Sequence, residues 1–486
     1  MRWAVSVDPR DEIIAELRRQ LAERDAIIAQ LREEIADLKE KLGKSSRNSS
    51  KPPSSDSPGT GRPKRRSHRK PSGKKRGAQP GHPKHERPLV PESELDKIHD
   101  IKPTECDSCG RHLHGKDSEP QRHQVTDIPM PKPTTEEYRL HALECACGHV
   151  TRAKLPDGVP TGAFGPGIVA RVALVIGAYR LSKRLTVDLL RDLLGLRISV
   201  GSIIRCQNDA TAALRPCVAE AAEHVKTAEQ KHADETGWRV AGVRAWLWVA
   251  VTPIVTFFAI HSKRSAESAR ATLGAGIGAL ISDRFSGYSW WPLARRQLCW
   301  AHLIRDFIAI QERGGASGRI GKRLGEEAER LFSWHHQVRY GTLAWSSFRV
   351  YVRPLKKRVR ELLEQATRLK SQPKTAKTCA KMLRVFPAFW YFVDHPDIEP
   401  TNNTGEQEIR HGVLFRKTSQ GTQSHLGSEF VATILTVRAT LRKQERNILD
   451  FVIEACRARL HGSKPPSLLR LDRSATHHAP TLAKAA

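Results

Sequence analysis

The sequence predicts an α/β fold carrying a helical insertion, and three acidic residues in unlike settings carry that prediction. Asp234 in HADETGW and Asp283 in ALISDRFSGY stand beside apolar, strand-like sequence, whereas Glu406 in EPTNNTGEQEIR lies in a helix-like segment. Around Asp234 the residues alternate, break at a Gly-containing turn and resume as WLWVAVTPIVTFFAI, which reads as a hairpin. Strand side chains alternate faces, so His232 and Asp234 share one face and Glu235 takes the other. Asp283 follows the apolar run Ala279, Leu280 and Ile281 and emerges at a strand tip. Thr401, Asn402 and Asn403 are good helix starters, and Asn402, one helical turn before Glu406, shares its face. The stretch from Asp283 to Glu406 is too long for a single crossover. It predicts a mostly helical insertion at 291–395 within a core of 226–290 and 396–456.

The segments ahead of that core follow from pattern. Residues 11–42 place Ile14, Leu17, Leu21, Ile28, Leu31, Ile35, Leu38 and Leu42 at alternating three- and four-residue steps, with Arg24 interrupting one seam position. This heptad pattern predicts a coiled coil and a homo-oligomer; it also suits a single amphipathic helix packed on the body. From 43 to 88 the chain turns to Ser, Pro, Gly, Lys and Arg and cannot bury enough surface to fold alone. Its basic centre, Lys64, Arg65, Arg66, Arg69, Lys70, Lys74, Lys75 and Arg76, reads as an arm for a polyanion backbone or as a solvated linker.

Within 89–155, Cys106-x-x-Cys109 and Cys145-x-Cys147 are each followed by glycine. Tetrahedral Zn²⁺ accepts four thiolates from two such knuckles, with His112, His114 or His149 as substitute ligands. The other cysteines are scattered, so a structural zinc module is expected rather than disulfides. Residues 165–225 read as helices with short breaks. The turn at 195–199, a helix capped by Ser199 and an exposed Arg205 suit a helix-turn-helix or a plain helical bundle. Further on, His302 and Asp306 in CWAHLIRDF read as structural neighbours among Cys299, Trp300, Leu303 and Phe307, with His302 a candidate helper near the acidic site. Trp290 and Trp291 beside Tyr288 suit base stacking or core packing. Arg416 and Lys417 are candidates for phosphate contact, and 463–486 reads as a disordered tail.

Two chemical arguments bound the function. Mg²⁺ prefers hard oxygen ligands, and two or three carboxylates with a substrate phosphate can hold a pair of ions roughly 3.5–4 Å apart, one for the attacking oxygen and one for the leaving oxygen. The balance of 81 Lys and Arg against 52 Asp and Glu, net +29 over 486 residues, exceeds what solubility requires. It points to a polyanionic partner, with a membrane surface as the rival. No run of about 18 apolar residues offers a span, and the first residues lack the apolar stretch of a signal peptide. A cytoplasmic DNA-binding chain is the expectation.

The segments SRNSSKPPSSD (46–56), GAQPGH (77–82), HADETGWRV (232–240), SDRFSGY (282–288), RRQLCWAHLIRDF (295–307), TNNTGEQ (401–407) and FRKTSQGTQS (415–424) stand in one order within residues 11 to 456. Together they resemble the insertion-sequence-66 family of bacterial transposases. The resemblance implies a ribonuclease-H-like catalytic core with an Asp-Asp-Glu triad at Asp234, Asp283 and Glu406, served by two Mg²⁺ ions or by Mn²⁺. It implies cleavage at the end of a mobile element, exposing a 3′ hydroxyl that attacks target DNA. It further implies structural Zn²⁺ at the cysteine pairs, DNA partners in the terminal inverted repeats and the target, accessory proteins of the same element, and a nucleoid-associated location. One departure stands out: where the family usually reads Asn-Asn-Ala-Ala-Glu-Arg, this chain has Asn402-Asn403-Thr404-Gly405-Glu406-Gln407. A DNA-binding remnant and a metal-dependent nuclease are the alternatives that this leaves.

Overall fold

The structure, a computed structural model, describes residues 9–49, 56, 88–128 and 132–469. Its chain falls into two units, 1–57 with 135–192 and 196–486, and 58–134 with 193–195. The elements run α1 (Pro9–Leu42), β1 (Ala142–Glu144), β2 (Val150–Arg152), α2 (Pro166–Ala173), α3 (Lys183–Leu194), α4 (Val200–Thr227), β3 (Gln230–Val240), β4 (Val243–Val251) and β5 (Thr256–His261). They continue with α5 (Ala266–Leu273), β6 (Ala279–Ser282), β7 (Arg296–Leu298), α6 (Trp300–Glu312), α7 (Gly315–Arg339), α8 (Trp345–Thr367), α9 (Pro373–Arg384), α10 (Tyr391–Asp394), α11 (Asn403–Ser419), α12 (His425–Lys443) and α13 (Ile448–Leu460).

A five-stranded mixed sheet in the order β5-β4-β3-β6-β7 organises the larger unit. The expected hairpin is β3 and β4, paired antiparallel from His232 opposite Val251 to Val240 opposite Val243. β5 extends it antiparallel. β6 joins the other side of β3 in parallel, Gln230 opposite Ala279 and His232 opposite Ile281, and β7 pairs parallel with β6. β3 runs well past the short β6, so Asp234 stands just beyond the paired stretch and Asp283 just beyond the end of β6. Helix α11 packs on β3 and β4, and α12 packs on β5 and α4. Gly412 permits the first approach: a Cβ there would meet Leu247 Cδ2 at 2.1 Å.

The insertion differs from expectation at its start. Residues 296–298, assigned by sequence to the helical insertion, are the fifth strand of the sheet. The helices α6 to α10 then share one core with that edge, through Ile281, Leu298, Trp300, Phe307, Phe348 and Phe392. Gln297 is fully buried yet satisfied, donating to Phe389 O and accepting from Phe392 N, and so ties the strand to the insertion. The 165–225 region forms α2, α3 and α4, with Ser199 capping α4 by accepting from Ser202 N. Much of α4 is core rather than surface, with Ile203, Ala210, Leu214, Ala221 and Val225 buried against α2, α12 and α13.

Helix α1 exists as expected, and the packed-helix alternative does not describe it. Leu17, Leu21, Leu31 and Leu38 are each at least 50% exposed. Among the described residues, polar groups of its last turns reach the body, Asp37 and Glu40 pairing with Lys374 at 3.1 and 2.8 Å and Glu40 lying 3.7 Å from Arg313. At the other end, residues 463–469 are not a disordered tail: Leu468 is buried, and Ser467 donates to Glu220. The basic arm from Lys64 to Arg76 and residues 470–486 lie outside the described residues. No described helix is long and apolar enough to cross a membrane.

Candidate active site

The three carboxylates named by sequence come together at one end of the sheet. Asp234 is carried by β3, Asp283 by the turn after β6, and Glu406 by the first turn of α11. Burial pushes the Asp234 carboxyl well above the usual range, and the charges of Glu235, Asp283 and Glu406 push the same way. Among the described residues its only hydrogen bond is the short local one from Glu235 N to Oδ1, 2.9 Å. Asp283 Oδ1 accepts from Phe285 N at 2.9 Å, closing a tight turn. A gathering of like charges, with no described cation paired to Asp234 or Asp283, is the arrangement a divalent ion would relieve.

Glu235 takes the opposite face of the strand, as expected, and has its own partners. Its carboxylate accepts from Arg264, Nη2 at 2.6 Å, and from the buried Tyr288 hydroxyl. Tyr288 and Trp291 are fully buried, so they pack rather than offer a stacking surface, and Lys231 sits over Trp291.

Two residues hold the site in shape that sequence pattern alone did not single out for this. Asn402 occupies the N-cap of α11 but makes no capping bond. Its amide instead donates to Ala233 O at 2.8 Å, and its oxygen faces His232 Nδ1 at 3.0 Å. An N-cap contributes about 1 kcal/mol; here that bond is exchanged for a tie between the helix of Glu406 and the strand of Asp234. Arg296, buried in β7, donates to Asp283 O at 2.9 Å, to Ser282 Oγ at 3.3 Å and to Tyr288 O at 3.3 Å. It fixes the loop on which Asp283 stands.

The wall beside Glu406 comes from α6. Cys299 Sγ, His302 and Glu406 bring potential ligand atoms within 4.8 Å of one another. His302 Nδ1 lies 3.5 Å from Glu406 Oε1, and Arg305 Nη2 lies 3.9 Å from Oε2. Arg305 can only donate, so its 3.1 Å contact makes His302 Nε2 an acceptor and leaves the ring proton on Nδ1, which is buried without a hydrogen-bond partner among the described residues. Burial pushes the Cys299 thiol up to about 11, and its sulfur accepts from Asn402 N. The thiol is held protonated and the imidazole Nε2 is taken by Arg305, while His302 Nδ1 makes no hydrogen bond among the described residues, so this wall borders Glu406 and is itself a second group that could hold a metal ion. Asp306, one turn on, pairs with Arg284.

The remaining sequence candidates are placed as follows. Arg416 donates to Gly237 O at 2.5 Å and thus clasps β3, whereas Lys417, Arg205 and Gln407 are exposed. Cys106 and Cys109 flank a turn in which Gly110, at φ 68°, donates to Cys106 O. Cys145 and Cys147 flank the β1–β2 turn, where Gly148, at φ 85°, donates to Cys145 O. In each pair backbone N–H groups lower the first thiol, at Cys106 those of Ser108 and Cys109 and at Cys145 chiefly that of Cys147. Such turns prepare thiolates for a soft cation.

Comparison with known sequences gives these surfaces a context. The profile of the transposase IS66 family matches residues 161–429, more than half of the chain and all three carboxylates. A family of unknown function matches residues 6–88. Two proteins of Sinorhizobium fredii (strain NBRC 101917 / NGR234) are similar. The uncharacterized protein y4hP is 23% identical over 393 residues, 73% of this chain and 70% of the relative. The uncharacterized protein y4qI is 24% identical over 259 residues, and the chain spans only 48% of its length.

Proposed function

Because the chain belongs to the transposase IS66 family, we propose that it is a DNA transposase whose Asp234, Asp283 and Glu406 form the catalytic triad. The observation that carries this reading is the convergence of three carboxylates, distant in sequence, around the half-buried Asp234. The sheet order supports a ribonuclease-H-like core: three antiparallel strands continued by two parallel ones, with the first and fourth strands in sequence side by side at the centre.

Asp234 and Asp283 would hold the divalent ions, and Glu406 would complete the site; Mg²⁺ suits this oxygen set and Mn²⁺ substitutes for it. When bound, such ions activate the attacking oxygen and stabilise the leaving one in an in-line displacement. The chain's own groups do the rest. Asn402 keeps α11 in register with β3, Arg296 keeps the Asp283 loop in place, and His302 with Arg305 orients the Glu406 carboxylate. No side chain is needed as a nucleophile: water opens the strand, and the released 3′ hydroxyl attacks the target. Lys417, Arg205 and the basic arm from Lys64 to Arg76 are the proposed backbone contacts. Each cysteine pair, on its own glycine turn, is a proposed source of thiolate donors for Zn²⁺. The exposed seam of α1 is the proposed oligomer contact, which suits a reaction that must bring two DNA ends together.

The test is divalent-metal-dependent cleavage and joining of a labelled duplex bearing the element's own end, with Asp283→Asn alongside. Joined product from the parent alone supports the proposal. Equal product from Asp283→Asn would remove the triad, cleavage without joining would favour a nuclease, and binding without either would mark a DNA-binding remnant.

A further inference from the structure

Helix α11 carries a second charged group of residues on another side. Glu408 and His411 lie about 200° and 140° round the helix from Glu406 at 3.6 residues per turn. With Arg438, Ala439, Arg442 and Lys443 of α12 they line a cavity of about 390 Å³. Arg180 and Arg410 also act on His411, whose ring is pushed down to about 4 by burial and then by Arg438, Arg180 and Arg410.

The charges in this cavity do not balance. Among the described residues, Arg180, Arg410, Arg438 and Arg442 have no ion pair and no side-chain hydrogen bond, and Arg438 and Arg442 repel one another. Lys443 is already engaged, donating to Thr252 O at 2.8 Å and to Thr256 Oγ1 at 3.0 Å. Glu408 is the one described carboxylate lining the cavity. His411 Nδ1 is buried without a partner among the described residues. Arg180 holds φ at 65°, a left-handed backbone that arginine adopts at a cost, two residues after the π-helical segment Leu174–Ala178. Arg438 is half-buried and Arg442 exposed, and Glu408 alone offsets only part of their charge, so an anion would relieve their repulsion, and their planar forks match phosphate oxygens.

We propose that the cavity between α11 and α12 is a seat for a phosphate of the nucleic-acid backbone, with Arg438 and Arg442 as its donors, Glu408, His411 and Lys443 in its wall, and Arg180 and Arg410 adding positive charge near His411. The proposal rests on the reading of the chain as a DNA-acting protein and deepens it. It gives the helix of Glu406 two duties: one side completes the carboxylate site, and another grips the strand. A phosphate held there would couple DNA binding to the position of Glu406.

The experiment measures the affinity of the full-length chain for a labelled duplex without divalent metal, over a series of salt concentrations. Arg438→Gln/Arg442→Gln is compared with Lys356→Gln/Lys357→Gln, which removes equal charge from the exposed face of α8. The α11–α12 pair should weaken binding more than the control, with a salt slope shallower by about 0.9 for each phosphate that is no longer neutralised. Arg442→Gln alone, at an exposed side chain, serves if the double variant does not fold, and Arg438→Lys/Arg442→Lys should restore most of the slope. An unchanged slope, or a weakening equal to the control's, overturns the proposal. A parallel titration with inorganic phosphate separates the sources: saturable phosphate binding that the double variant loses, with DNA binding untouched, would make this a free-anion site and overturn the nucleic-acid assignment. Because no cleavage is read, failure here is distinct from failure of the triad, which Asp283→Asn tests.

Discussion

Asn402 shows most clearly how single residues build the acidic site. The sequence places it as a helix starter on the face of Glu406, and the structure turns its amide across to Ala233 and His232. Asn402→Ala should therefore act by misplacing Glu406 against Asp234. The expected result is a 10–100-fold loss of Mn²⁺ affinity, in the range seen for partners that orient metal ligands. The melting temperature should fall only modestly, as for the loss of one or two buried hydrogen bonds, about 1–3 kcal/mol. A calorimetric metal titration beside a thermal melt separates the two effects. The positions of these carboxylates in the fold were legible, Asp283 after an apolar run, Asp234 in an alternating strand and Glu406 behind helix-starting residues, while their joint role is the proposal made above. The supporting hydrogen bonds were not, since nothing local tells Asn402 to forgo its cap for a strand over 160 residues away.

The elements repeat this contrast. β3, β4, β6 and α11 could be read from alternation, apolar runs and helix-starting residues. β7 could not, because its Arg296 and Gln297 look like loop residues and are buried only because each finds distant backbone partners. Arg296→Met should cost about 2–4 kcal/mol, the sum of several charged hydrogen bonds left unmade, and should loosen the loop of Asp283. Urea denaturation reads the first effect, and hydrogen exchange at residues 283–288 reads the second. Helix α11 is as sensitive at its middle: Gly412→Ala sets a methyl 2.1 Å from Leu247 Cδ2. Overpacking of this kind costs about 1–3 kcal/mol, and the displaced helix should lower joining more than it lowers DNA affinity.

At the scale of the whole molecule, the mixed sheet supplies Asp234 and Asp283, α11 supplies Glu406, and the insertion packs on the sheet edge formed by β6 and β7. The insertion core also introduces an acid lability. His335 is packed among Phe332, Trp345, Phe348 and Phe392, and burial, with Arg339 and His336, pushes its ring down to about 4. Its folded pKa lies below the unfolded value of about 6.5, so the unfolded chain takes up the proton first. Stability is full above that value and declines as pH falls from about 6.5 to about 4. His335→Leu should flatten that decline in a series of melts, without abolishing it, because His411 shifts in the same direction. The claim on which the rest depends is that Asp234, Asp283 and Glu406 share a divalent ion. The most direct measurement is Mn²⁺ titration, followed by electron paramagnetic resonance, of the full chain bound to duplex DNA, beside Asp234→Asn, Glu406→Gln and Cys299→Ser. Saturable binding that falls at least tenfold in both carboxylate variants and persists in Cys299→Ser is the predicted result. Binding unchanged in Asp234→Asn and lost in Cys299→Ser would contradict it and move the metal to the Cys299, His302 and Glu406 wall.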